Sequence, residues 1–137
     1  MKIVTNVIYG GFGLSDAAMH RYAELKGITL YKEKGGLADT YYTVPRKQRV
    51  KPLAGNWMDN SEKDRKAYNK RYSEEVLYDR DIQRDDPILV QVVEELGKDA
   101  SGRHACLKVV EIPDGVAWDI EEYDGQEWIA EVHRTWS

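Results

Sequence analysis

Four aspartates between Asp79 and Asp86, interleaved with two arginines, make the densest carboxylate cluster ahead of the last helix. Asp79, Asp81, Asp85 and Asp86 are interleaved with Arg80 and Arg84. A calcium loop starting at Asp79 needs glycine at its sixth position and glutamate at its twelfth, where the chain has Arg84 and Val90, so that motif fails. Magnesium needs only one or two carboxylates, which leaves a metal-dependent enzyme on Asp79/Asp81 or Asp85/Asp86 as the weakest of three functional readings. Capping of the following helix and pairing with the arginines account for the same residues without any ligand.

A second chemistry is anion binding. Gly10, Gly11 and Gly13 surround Phe12 ahead of Ser15, between a strand-like run and a helical one, and backbone N–H groups at a helix N-terminus attract anions. The spacing matches neither nucleotide fingerprint. Asp16 stands where a dinucleotide motif wants a third small residue, and no Gly-Lys-Ser/Thr follows for a phosphate loop. Between Pro45 and Pro52, Arg46, Lys47, Arg49 and Lys51 form a basic loop. Together these segments suggest a sequestering protein for a small anionic, nucleotide-type ligand. Nucleic acid is not expected, because the chain as a whole is acidic, with a net charge of -4.

A third group lies near the C-terminus, where Asp119, Glu121 and Glu127, with Glu131 and His133, are read onto one face of a hairpin. That face is either plainly solvated or a docking surface that steers a basic partner. A pair of its carboxylates could act as acid and base only beside a substrate cleft, which the sequence does not reveal. His20, His104 and His133 are scattered without metal-ligand spacing, and Cys106 is read as a small core residue.

The elements that must carry these groups follow from periodicity. Asp86 caps a helix that begins at Pro87, presents Ile88, Leu89, Val92, Val93 and Leu96 in one arc, and stops at Gly97. Ser15 caps another, Asp16 to about Lys26, stopped by Gly27. A third, charged helix opens with the capping-box pair Ser61 and Asp64. Strands are expected at Lys2–Tyr9, Ile28–Lys32, Thr40–Val44 and Cys106–Ile112. In the last hairpin a three-residue loop with Gly125 as a bulge pairs Ile120 with Trp128, Trp118 with Ala130 and Val116 with Val132, placing all six on one face. A two-residue Asp124-Gly125 loop would set Trp118 against Glu131, a poor match. The chosen register sets Glu121 opposite Glu127 and Asp119 opposite Ile129.

The expected fold is α+β: an antiparallel sheet of the N-terminal strands and a C-terminal three-strand meander, packed against two main helices. Its 137 residues fit one domain, 1–137, with a charged excursion at about 45–75. One cysteine excludes an internal disulfide, and no apolar run approaches membrane length, so a cytoplasmic protein without cofactor is expected. Residues 1–84 carry 16 Lys/Arg against 11 Asp/Glu, a net +5, and residues 85–137 carry 4 against 13, a net -9. This polarity suits a charged partner or head-to-tail contacts in a homo-oligomer.

YGGFGLS, RDDP, VVEELG, LKVVEIPDG and YDGQEWIAEVHRTW resemble a group of small uncharacterised proteins encoded by bacteriophages and prophages. The likeness covers roughly residues 1–31 and 79–136. It implies a protein acting inside a bacterial cell and assigns no catalytic residue. Phage accessory proteins of this size often bind host proteins or host signalling molecules. The leading expectation is therefore a non-enzymatic accessory protein that engages a host polypeptide, those of host defence included.

Overall fold

The computed structural model describes residues 1–132, so His133 and Trp136 lie outside the described residues. The chain is α+β and divides into two compact units, residues 1–27 with 79–137, and residues 28–78.

The first unit is built on β1 (Lys2–Asn6), whose Ile3, Val4, Thr5 and Asn6 are almost completely buried. It pairs antiparallel with β4 (Leu107–Glu111), Val4 opposite Val109. Helix α1 (Asp16–Lys26) starts where the Ser15 hydroxyl accepts the Ala18 N–H, and ends at Gly27 in the left-handed conformation, as its sequence demands. Helix α3 (Pro87–Leu96) is capped by Asp86 and buries Leu89, Val90, Val92 and Val93. Burying apolar side chains of this size contributes roughly 1.5–3 kcal/mol each before entropy is counted. α3 packs on α1, β1 and β4, so its apolar arc covers the β1–β4 ladder in place of the hairpin face it was expected to cover.

The two helices are also tied by a polar link. Asp86 Oδ1 accepts the Ile88 N–H at 2.8 Å, while Oδ2 accepts the Tyr22 hydroxyl at 2.7 Å and lies 3.1 Å from Lys26 Nζ. Burial, followed by the bond to Asp86, pushes the Tyr22 phenol well above its ordinary range. For Asp86, burial pulls upward, but the bonds from Tyr22, Ile88 and Lys26 together outweigh it and hold the carboxyl below its usual value.

The strands do not form the expected meander. β4 pairs with β1, and among the described residues β5 (Trp118–Tyr123) pairs only with β6 (Gln126–Glu131), giving separate two-stranded ladders rather than one sheet. The Pro113-Asp114-Gly115 turn therefore hands the chain to a new ladder instead of folding it back on β4. The hairpin register is also the one set aside on sequence grounds: Trp118 opposes Glu131, Ile120 opposes Ile129, and Glu122 opposes Glu127. Asp124 and Gly125 both have positive φ, 50° and 88°, the two-residue hairpin turn that an Asp-Gly pair favours.

The second unit comprises β2 (Tyr31–Glu33), β3 (Thr40–Tyr42) and helix α2 (Glu62–Glu75). Ser61 caps α2 through the Asp64 N–H. Val76 returns the chain to Tyr42 by an antiparallel bridge. Trp57, Tyr68, Tyr72 and Tyr42 form a run of edge and stacked contacts, with the Arg49 guanidinium 3.7 Å over Tyr42. No apolar side chain in this unit is buried.

Candidate functional site

The register shift decides which side chains of the C-terminal hairpin face inward. Alternation along β5 and β6 puts Trp118, Ile120, Ile129 and Glu127 on the inner face, and Asp119, Glu121, Tyr123 and Trp128 on the outer one. Two expectations are thereby corrected. Trp128, expected in the core, is exposed, and Glu127, expected on the acidic outer face, is buried at 8% exposure. The cause is the supply of partners. Arg84 clasps Glu127 through both guanidinium nitrogens, at 2.5 and 2.9 Å, and the Asn6 backbone N–H donates to the same carboxylate at 2.9 Å. A buried carboxylate is tolerable when so paired, and a register that moved it outward would leave Arg84 without its counter-charge.

Asn6, completely buried, fixes the turn in place. Its Nδ2 donates to the carbonyls of Ile8 and Gly125 at 2.7 Å each, and its Oδ1 accepts the Cys106 N–H at 2.8 Å. No sequence pattern marks it: it falls inside the strand expected over Lys2–Tyr9, whereas β1 ends at it.

The glycine turn packs against the hairpin tip. A Cβ on Gly125 would stand 2.2 Å from the Gly11 nitrogen, and one on Gly10 would stand 2.6 Å from the His104 carbonyl. Those glycines serve close backbone approach. The Gly10 N–H donates to the Asp124 carbonyl, the Leu14 N–H to the Asp79 carboxylate at 3.0 Å, and the Ser15 N–H to the Ala100 carbonyl. Ser15 is the cap of α1, and Phe12 is buried beneath the Arg84 guanidinium, 3.6 Å from its ring. Three of the backbone donors expected to meet an anion are thus already engaged, and Gly13 sits beside the Asp79 carboxylate.

A cavity of about 420 Å³ lies between this turn and the hairpin. Its lining includes the Arg84–Glu127 pair and Phe12, with Arg80, Glu122 and Asp124 also contributing. Arg80, Glu122 and Asp124 form no ion pair among the described residues. With Arg84 and Glu127 neutralising each other, the remaining charges give an acidic balance, which suits cations better than anions.

The outer face of the hairpin is the more exposed feature. Tyr123 is 70% and Trp128 45% exposed, and Tyr9, 60% exposed, meets the Tyr123 ring edge-on at 6.5 Å. Trp128 Nε1 donates to Glu121 at 3.0 Å, and Asp119 accepts the N–H of Ile120 at 2.8 Å. The face therefore combines aromatic anchors with carboxylates.

The other candidates are placed elsewhere. Arg46 and Arg49, in the 28–78 unit, both bind Glu33, at 2.8 and 2.9 Å, and the two bonds, Arg46 first, hold that carboxyl below its usual range. Lys47 is exposed. Asp79 and Asp86 bind backbone and helix partners, Asp81 and Asp85 are exposed, and among the described residues no three carboxylate, histidine or cysteine side chains gather to hold a metal ion. Cys106 is exposed rather than a core residue, and it precedes β4, so it shares no strand face with His104. Among the described residues no helix is long and apolar enough to cross a membrane. No protein family, curated protein or solved structure matches the chain.

Proposed function

We propose that this protein is a non-enzymatic binding protein that docks a basic polypeptide on the outer face of the β5–β6 hairpin. The observation that carries this reading is the contiguous exposure of Tyr9, Tyr123 and Trp128 beside Asp119 and Glu121. Exposed aromatic side chains bury large area at small entropic cost when a partner covers them, and interface hot spots are rich in them. The carboxylates around them complement a basic partner and repel an acidic one. The resemblance to phage and prophage proteins supports a bacterial host polypeptide as that partner. Capture of a small anion by the glycine turn has less support, because the Gly10, Leu14 and Ser15 N–H groups are engaged and the charges lining the adjoining cavity have an acidic balance.

The test is affinity capture from bacterial lysate with the intact chain and the Tyr123→Ala/Trp128→Ala variant in parallel, with native mass spectrometry of both. The expected result is one polypeptide retained by the intact chain and lost from the variant at unchanged melting temperature. Equal retention by both, or an added mass of nucleotide size in place of a polypeptide, would refute the reading.

A further inference from the structure

The hairpin has a free edge as well as a free face. Among the described residues β5 pairs with β6 alone, so its second edge meets no strand. The phase of the ladder shows which groups that edge presents. Val132 N–H donates to the Ala117 carbonyl at 2.8 Å, which makes 117 and 132 a hydrogen-bonded pair in the register of the hairpin. Antiparallel ladders alternate, so Asp119, Glu121 and Tyr123 bond to β6, whereas the N–H and C=O groups of Trp118, Ile120 and Glu122 point outward.

One of these outward donors is already covered. The Asp119 carboxylate folds back onto the Ile120 N–H at 2.8 Å. This is the behaviour of an edge that carries its own guard: a charged side chain occupies the donor that a stray strand would use. The edge is also acidic, with Asp119, Glu121 and Glu122 among the six residues of β5. A second copy of β5 laid along it would bring carboxylates against carboxylates, whereas a basic strand would pair with them.

Resting on the docking role given above to the hairpin, we propose that the outer edge of β5 receives an extended basic segment of the partner as a third strand. Backbone bonds to Trp118, Ile120 and Glu122 hold the segment, and its cationic side chains draw the Asp119 carboxylate off the Ile120 N–H. Strand addition of this kind takes affinity from main-chain bonds and specificity from alternate side chains. Here the specificity is for cations beside Asp119 and Glu121, which share the outer face with the apolar platform of Tyr123 and Trp128.

The probe is a capped peptide of alternating Lys and Val, compared with its counterpart N-methylated along both edges, at low salt. Amide hydrogen exchange is read residue by residue by NMR on the full chain. With the unmodified peptide, exchange at Trp118, Ile120 and Glu122 is expected to slow by about tenfold or more, while Asp119, Glu121 and Tyr123 change by less than about twofold. The N-methylated peptide should produce no such alternation. In the Asp119→Ala chain without peptide, Ile120 alone should exchange faster. Binding without the alternation, or equal binding of the methylated peptide, overturns the edge proposal and leaves the docking face standing. Absence of binding by either peptide overturns both. Self-association of Asp119→Ala in sedimentation, with the same three amides protected, makes the occupant a second copy and overturns the basic segment.

Discussion

Arg84 and Glu127 are joined by two short bonds, and their side chains are only 15% and 7% exposed. Removing one member of such a pair leaves a largely sheltered charge without its partner, which costs more than the intact pair contributes. Glu127→Leu is therefore expected to lose about 3 kcal/mol of unfolding free energy in urea titrations. Adding Arg84→Met to that variant should recover part of the loss. A double variant less stable than the single one would show that the pair is not the reason for the hairpin register. Asn6 belongs to the same assembly, since its side chain joins β1, the entry to β4 and the hairpin turn.

Helix α3 depends on one side chain at its start. Asp86 caps the helix and, through Tyr22 and Lys26, joins it to α1. Its folded carboxyl titrates below the unfolded value near 3.9, so the stabilisation it supplies is complete above that pH and disappears as pH falls through the folded value. Asparagine caps almost as well as aspartate but carries no charge. Asp86→Asn should thus cost about 1 kcal/mol at pH 7, and the difference from the parent chain should shrink below about pH 4. Urea unfolding at pH 7 and pH 3 checks this, and a difference unchanged at pH 3 would contradict the charge-based account. The hairpin differs in kind: its turn residues determine its shape, but Arg84 and Asn6, both distant in sequence, give its inner face a partner.

The two compact units differ in charge and in burial. Residues 28–78 carry 11 Lys/Arg against 7 Asp/Glu, a net +4, and the rest of the chain carries 9 against 17, a net -8. Only Glu75 is buried in the 28–78 unit, where its carboxylate accepts the Val50 N–H and pairs with Arg71. With so little apolar burial, α2 and the β2–β3 ladder should open at a free energy several kcal/mol below that of β1 and α3. Hydrogen exchange on the full chain reads this directly. Equal protection of α2 and α3 would mean that polar and aromatic contacts alone hold the 28–78 unit as firmly as an apolar core holds the other.

Local chemistry alone determined the helices. Ser15 and Gly27, Asp86 with Pro87 and Gly97, and Ser61 each act on the few residues beside them, so their consequences can be read without knowing the fold. The α+β class follows from the same patterns. Strand pairing and hairpin register were decided only by tertiary structure, because both depend on groups far apart in the chain. β4 joins β1 across a hundred residues, and the choice between the two hairpin loops turned on whether Glu127 or Trp128 should face inward. Hydrophobic matching alone favoured Trp128. The partly buried Arg84 and the Asn6 N–H, both of which find their acceptor in Glu127, reversed that choice, since a largely sheltered charge left unpaired costs more than an exposed tryptophan. The candidate docking surface is a product of that reversal.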